Sequence, residues 1–270
     1  VPKSGQTRES SAKVSPTEPE IYLSFACRSL TVLAHLNDGR RLRTLRGSEA
    51  NMRQAYDEQV ESITADLVEV TRLVGSAMNR ATQALLDADL QLAEAVIDFD
   101  AKVDVLTSGI DERCFELIAL QPSPADLRVL LGAMRISSSL ERMGDLAEHV
   151  AKQARMRHPR VAAPQAVRGT FAEMGGLAEA IVSKTGSVIA TKDVSLCVDI
   201  ARHDEEMDRL HRELFTIVLS PAWKYGVEEA IDVTLLSRFY ERYADHAVSV
   251  SKRVVTIVTG EPYVAVSLTN

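Results

Sequence analysis

The sequence predicts an all-α protein, a tandem repeat of two three-helix bundles. Three observations carry this. Glycine is sparse and long stretches lack proline, while 46% of the 270 residues are apolar and only 5% aromatic, which favours helices around an aliphatic core. Apolar residues recur at alternating spacings of four and three, the seam of a bundle helix. One acidic pattern also occurs twice. Asp100-x-x-x-Asp104 is followed by Glu141-Arg142-Met143-Gly144-Asp145, and Asp204-x-x-x-Asp208 by Glu241-Arg242-Tyr243-Ala244-Asp245.

Residues 1–51 read as a disordered N-terminal extension. Residues 1–20 are polar and lack apolar periodicity. Ile21 to Leu36 is more apolar but too short for a signal peptide, and the basic stretch Arg40 to Arg46 follows it. One reading is translation from an upstream alternative start, with the domain proper beginning at Met52. The first repeat is placed at 52–158. Its first helix runs from Met52 to Leu86 and ends at Asp87-Ala88-Asp89. The second carries the seam Leu92, Val96, Phe99, Val103, Leu106, Ile110 and stops at Gln121-Pro122-Ser123-Pro124, where proline lacks a donor and excludes helical geometry from its neighbour. The third begins near Ala125 with the seam Ile136, Leu140, Met143, Ala147, Val150. Residues 157–169, with Pro159, Pro164 and Gly169, read as a linker.

The second repeat, 159–260, follows the same plan. Its first helix covers 167–191, and its glycines (Gly175, Gly176, Gly186) put its straightness in question. The next has the seam Leu196, Ile200, His203, Met207, Leu210, Leu214 and ends at Ser220-Pro221. The last has Leu236, Tyr240, Tyr243, Ala247, Val250, Val254 and stops at Gly260-Glu261-Pro262, leaving a tail at 261–270. Asp89 and Asp193 precede Asp100 and Asp204 by the same distance, so the repeat is one of structural units and not of a motif alone.

The net charge of −7 argues against nucleic acid as a partner. Three scattered cysteines (Cys27, Cys114, Cys197) with no CxxC fit a reducing compartment. No apolar run approaches the roughly 18–20 residues of a membrane span, so membrane association is expected only peripherally, through partners.

With 38 acidic residues, pairs at i, i+4 arise by chance, and register decides which of them matter. Asp100, Asp104, Asp204 and Asp208 each follow a seam residue by one position, as do Glu141 and Glu241. One position is about 100° around a helix, which is the rim of the buried stripe. The second and third helices of each repeat can therefore gather Asp100, Asp104, Glu141 and Asp145 at one shared edge, and Asp204, Asp208, Glu241 and Asp245 at the other. Like charges at this spacing cost about 0.2–0.5 kcal/mol per pair unless compensated. A cation would compensate them, and all-oxygen ligands suit magnesium, manganese or iron better than zinc. Arg142 and Arg242 could equally neutralise them in salt bridges, and both readings stand on the residues alone. His149 and His246 lie close enough in sequence to be further ligands. His203, on the seam, reads as a satisfied core residue, Cys114 as a small hydrophobe, and Trp223 as packing on the bundle.

The tandem plan, the turn Leu120-Gln121-Pro122-Ser123-Pro124-Ala125-Asp126-Leu127-Arg128 and the paired Glu-Arg-x-x-Asp motifs closely resemble the PhoU family, bacterial regulators of phosphate uptake, and most nearly its actinobacterial PhoY-like branch. The resemblance covers about Met52 to Gly260. It implies a cytoplasmic protein, often a homodimer, with multinuclear clusters of iron or another metal (manganese, magnesium or zinc). It implies a negative regulator linking the ATPase subunit of a high-affinity phosphate ABC transporter to a sensor histidine kinase and response regulator. The family's metal residues carry over to Glu141, Asp145, Glu241 and Asp245, with Asp100, Asp104, Asp204 and Asp208 assisting. The competing class is a carboxylate-bridged metal enzyme. Such bundles use Glu-x-x-His on two helices, whereas this chain offers only Asp208-x-x-His211.

Overall fold

The computed structural model describes the backbone of residues 39–261 and side chains from residue 51 onward. Six helices follow in order: α1 (Gly39–Asp87), α2 (Leu90–Ala119), α3 (Pro124–Arg157), α4 (Arg168–Thr191), α5 (Cys197–Val218) and α6 (Val227–Thr259), with one 3-10 turn (Val194–Leu196) before α5. No strand occurs among the described residues. The chain divides into two compact units, Val1–Ala55 and Tyr56–Asn270. Of the first, only the opening of α1 is described, and the packing and the sites below concern the second.

The expectation of disorder up to residue 51 needs correction where α1 begins, thirteen positions before Met52. Gly39 to Ala50 holds no proline and is rich in arginine, leucine and other good helix formers, so helix propensity carries the segment without an amphipathic period. The remainder of that reading, residues 1–38, and the tail beyond Glu261 lie outside the described residues.

The breaks between helices are chemically specified. Ala88 takes a left-handed φ of 52°, and the Asp89 carboxylate then caps α2 by accepting from the Leu92 N–H at 3.0 Å. Gln121 turns with φ 55°, Ser123 caps α3 by accepting from the Asp126 N–H, and Pro124 occupies the first turn, where its missing donor costs nothing. Gly260, at φ 77°, ends α6. Asp193 repeats the role of Asp89, accepting from the Ser195 N–H at 2.9 Å.

Helices α2 and α3 pack together, as do α5 and α6, and α3 also packs along α6 to join the repeats. Every α3 and α6 seam residue read from the sequence is buried, and the matching positions Leu140 and Tyr240, Met143 and Tyr243 share the centre. Tyr240 exchanges a 2.7 Å hydrogen bond with Thr82 of α1. Cys114 is buried, and burial pushes its thiol up to about 11. Trp223 packs against the core beside Tyr225, its indole N–H donating to the Gly226 carbonyl.

The glycines of α4 leave it unbroken. Two of them admit α1 at close range. A Cβ on Gly175 would stand 2.6 Å from Thr82 Cγ2, and one on Gly186 would stand 2.6 Å from Thr71 Oγ1. Both glycines and both threonines are eleven residues apart, in opposite order, so α1 and α4 run antiparallel with threonine set against glycine twice. Gly176 faces open space. Gly175→Ala should therefore destabilise by roughly 1–2 kcal/mol, overpacking outweighing helix propensity, whereas Gly176→Ala should stabilise by up to about 1 kcal/mol. Urea melts of the two adjacent variants check the opposite signs.

Candidate functional site

The second and third helices of each repeat present their acidic rims to one another. Asp100 on α2 sits against α3 where residue 144 is glycine, and a Cβ there would lie 3.0 Å from its carboxylate. Burial first, then the charges of Glu148, Asp104 and Asp145, push Asp100 up to about 6. In the second repeat burial, then Asp245, Asp208 and Glu241, push Asp204 up to about 6. Glu241 is raised as well, by burial and by Asp245. The charges of Asp104 and Asp145 thus reach Asp100, and those of Asp208, Glu241 and Asp245 reach Asp204. Glu141 lies beside Arg142, whose guanidinium its charge holds up.

Basic side chains share these acids. Arg142 donates to Asp145 at 2.6 Å, Lys152 to Glu148 at 2.5 Å, Arg238 to Glu241, and Arg212 lies 3.8 Å from Asp208. Among the described residues no three His, Cys, Asp or Glu side chains are already gathered closely enough to hold a metal ion. The ion-pair reading therefore holds for the geometry as it stands, although Arg238 takes the part expected of Arg242.

The donor set nevertheless fits a hard cation. Glu241 Oε2 is buried without a hydrogen-bond partner, the two central aspartates are driven toward protonation by burial and then by their acidic neighbours, and every donor is a carboxylate oxygen. Arg142 and Arg238 are 59% and 51% exposed. With the guanidinium ends this open to water, each pair is worth about 1 kcal/mol, less than a cation bound by several carboxylates supplies.

The histidines differ in where they lie. His149 stacks on Phe239 across α3 and α6 with ring centroids 5.3 Å apart. His246 is lowered by burial and by Arg242, and the charges of Arg142, Asp245 and Asp145 also reach it. The two Glu-Arg-x-x-Asp motifs thus lie side by side where α3 crosses α6. His211 Nδ1 shares a 3.0 Å hydrogen bond with Ser237 and is lowered by burial. His203 corrects the expectation of a satisfied core residue: its Nδ1 is buried with no partner. Glu148 was not apparent from the sequence. It falls seven residues after Glu141 on the same helix face, but the second repeat has Val248 there, and a search for repetition passes over a residue present once.

The raised aspartates set a pH dependence. The unfolded chain releases these protons near pH 4 and the folded chain near pH 6. Between those limits the folded state binds more protons, so this contribution to stability falls as pH rises from about 4 to about 6, then levels off. With solvent screening discounted, metal-free protein should lose about 1 kcal/mol per aspartate across that window. Asp100→Asn with Asp204→Asn should remove the loss. Subtracting the variant's urea melts from those of the wild type at each pH cancels acids of opposite sign such as Glu228, which Arg157 and Arg160 lower.

The family model described as the PhoU domain matches residues 67–154 and 171–254, one copy on each repeat. A Mycobacterium tuberculosis protein named phosphate-specific transport system accessory protein PhoU homolog 2 is 49% identical over 210 residues, covering 77% of this chain and 99% of that protein. PhoU homolog 1 of Mycobacterium leprae is 46% identical over 210 residues, covering 77% of this chain and 95% of its own. Among solved structures, PhoU from Pseudomonas aeruginosa superposes with a TM-score of 0.67 at 27% identity, covering 76% of this chain and 100% of its own. The phosphate transport regulatory protein PhoU from Streptococcus pneumoniae superposes with a TM-score of 0.70 at 24% identity, covering 77% and 99%. The latter shows likeness of fold alone. No helix of the described residues is long and apolar enough to cross a membrane.

Proposed function

The chain belongs to the PhoU family, and from that premise we propose that it is a non-catalytic regulator of phosphate uptake that holds phosphate-starvation signalling off when phosphate is plentiful. The observation that carries this reading is the match across 99% of a relative named as a transport-system accessory protein, with a domain copy on each repeat. In this reading it acts as an adaptor, as a homodimer at the cytoplasmic face, between the ATPase subunit of a phosphate ABC transporter and a phosphate-responsive sensor histidine kinase.

The carboxylate clusters are the cation sites of this adaptor. Asp100, Asp104 and Asp145 would hold a cation in the first repeat, with Glu141 or Glu148. Asp204, Asp208, Glu241 and Asp245 would hold one in the second. Iron is the leading cation, with manganese, magnesium or zinc as alternatives. When bound, it supplies positive charge that ties the second helix of each repeat to the third.

Deleting the gene, in a strain with no second copy, should switch on phosphate-starvation genes in phosphate-rich medium. Unchanged expression of a starvation reporter would overturn the regulator reading.

A further inference from the structure

The two ends of the α3–α6 contact correspond to one another under the repeat, yet they carry opposite chemistry. Positions a hundred apart correspond, as the seams Ile136 and Leu236, Leu140 and Tyr240 show. At one end Arg157 of α3 donates to Asp232 of α6 through two N–H groups at 2.5 and 2.8 Å, and also to Glu228, while Gln153 donates to Asp232 at 2.5 Å. That end is closed by its own charges. At the other end the corresponding positions are Ile257, Gly132, Arg128 and Arg253. Both acids are gone, one replaced by glycine and one by arginine. Ile257 fills the space the glycine leaves, since a Cβ on Gly132 would stand 2.5 Å from its Cδ1.

A groove of about 260 Å³ opens there, with Leu127, Leu131 and Ile257 as its apolar floor and Arg128, Arg135 and Arg253 around it. All three arginines are exposed, and none of their guanidinium groups has a hydrogen bond or ion pair among the described residues. On a chain of net charge −7, three unpaired guanidiniums around an apolar floor form a complementary seat for an anion with an apolar neighbour.

We propose that this groove docks an acidic, amphipathic segment of a partner protein, whose carboxylates take the places that Glu228 and Asp232 fill at the closed end. The apolar floor and the carboxylates at the corresponding end favour a peptide over a bare phosphate group. The groove holds a few side chains, so it is an anchor point within a larger contact. This deepens the adaptor reading by giving it a contact surface. The test is made on purified protein, so its failure leaves the reporter result untouched.

The probes are labelled synthetic helical peptides carrying Glu-x-x-x-Asp with leucines between, read by fluorescence anisotropy against the full chain. The expected result is saturable binding that weakens at least about tenfold when the acids become Gln and Asn, and again when salt rises from about 50 to 300 mM. Arg128→Ala with Arg253→Ala should also weaken it at least about tenfold with an unchanged melting curve. Arg135→Glu serves as a second, single-site variant. The proposal is overturned if no acidic peptide binds, if the acid-free peptides bind equally, or if the arginine variants keep full affinity. Arginine-dependent binding of inorganic phosphate or anionic vesicles in place of every peptide would also overturn it.

Discussion

Arg157→Leu is expected to cost the fold about 3–5 kcal/mol, lowering the melting temperature by about 10 °C or more. Asp232 is only 3% exposed, and its carboxylate relies on the Arg157 fork and on Gln153. Removing the guanidinium leaves a buried charge between the repeats that water cannot reach. That uncompensated charge, and not the net worth of the pair, sets the size of the effect. Arg157→Lys should recover part of the loss, because a point charge replaces half of a two-pronged contact. Arg157→Leu with Asp232→Leu should recover most of it, since an apolar pair of similar volume is often neutral in such a place. The shortfall, about 1 kcal/mol, belongs to Gln153, which loses its acceptor. If the double variant is no more stable than the single one, the account by buried charge fails. Urea melts of the three variants decide it.

Glu141→Gln with Asp145→Asn should halve the metal content of protein purified with iron or manganese, because each repeat forms its own cluster. Metal that binds the folded state alone stabilises it by mass action. Added metal should raise the wild-type melting temperature, and the variant should show the smaller rise that one surviving site allows. Asp204→Asn with Asp245→Asn should do the same from the other repeat, and all four changes together should abolish both metal content and the rise. The ion-pair alternative makes the opposite prediction. If Arg142 and Arg238 are the only partners of Asp145 and Glu241, the wild type carries no metal after exposure to iron, manganese and zinc. Inductively coupled plasma mass spectrometry on tag-free protein distinguishes the two outcomes.

Much of this molecule was legible before folding. The alternation of four and three placed the seams of α3 and α6 on residues that are all buried, because helical periodicity is a local property that a core can only accept or reject. The breaks at Asp87-Ala88-Asp89, Pro122 and Gly260 were legible for the same reason, since caps and left-handed turns are chosen by residues within a few positions. The repetition of acids at one register gave the facing rims, where Asp104 and Asp145 act on Asp100, and Asp208, Glu241 and Asp245 act on Asp204. The N-terminal start of α1 was missed because arginine and leucine support a helix without giving it a face to detect.

Tertiary structure decided what depends on which helices meet. Gly175 and Gly186 looked like weak points in α4 and are clearances for Thr82 and Thr71, visible only once α1 lies against it. Arg238, not Arg242, holds Glu241, because three residues of helix bring a side chain back to nearly the same face whereas the next residue points away. Glu148 joins Asp100 only across the α2–α3 contact. Arg157 finds Asp232, and Arg128 finds no acid among the described residues, because α3 and α6 cross antiparallel and bring opposite ends of the two repeats together. By itself the sequence determined the helices, the repeat and the candidate acids, since those rest on spacing along one chain. Pairing between charges far apart in that chain was decided by packing, because distance in space, not in sequence, sets whether two charges meet.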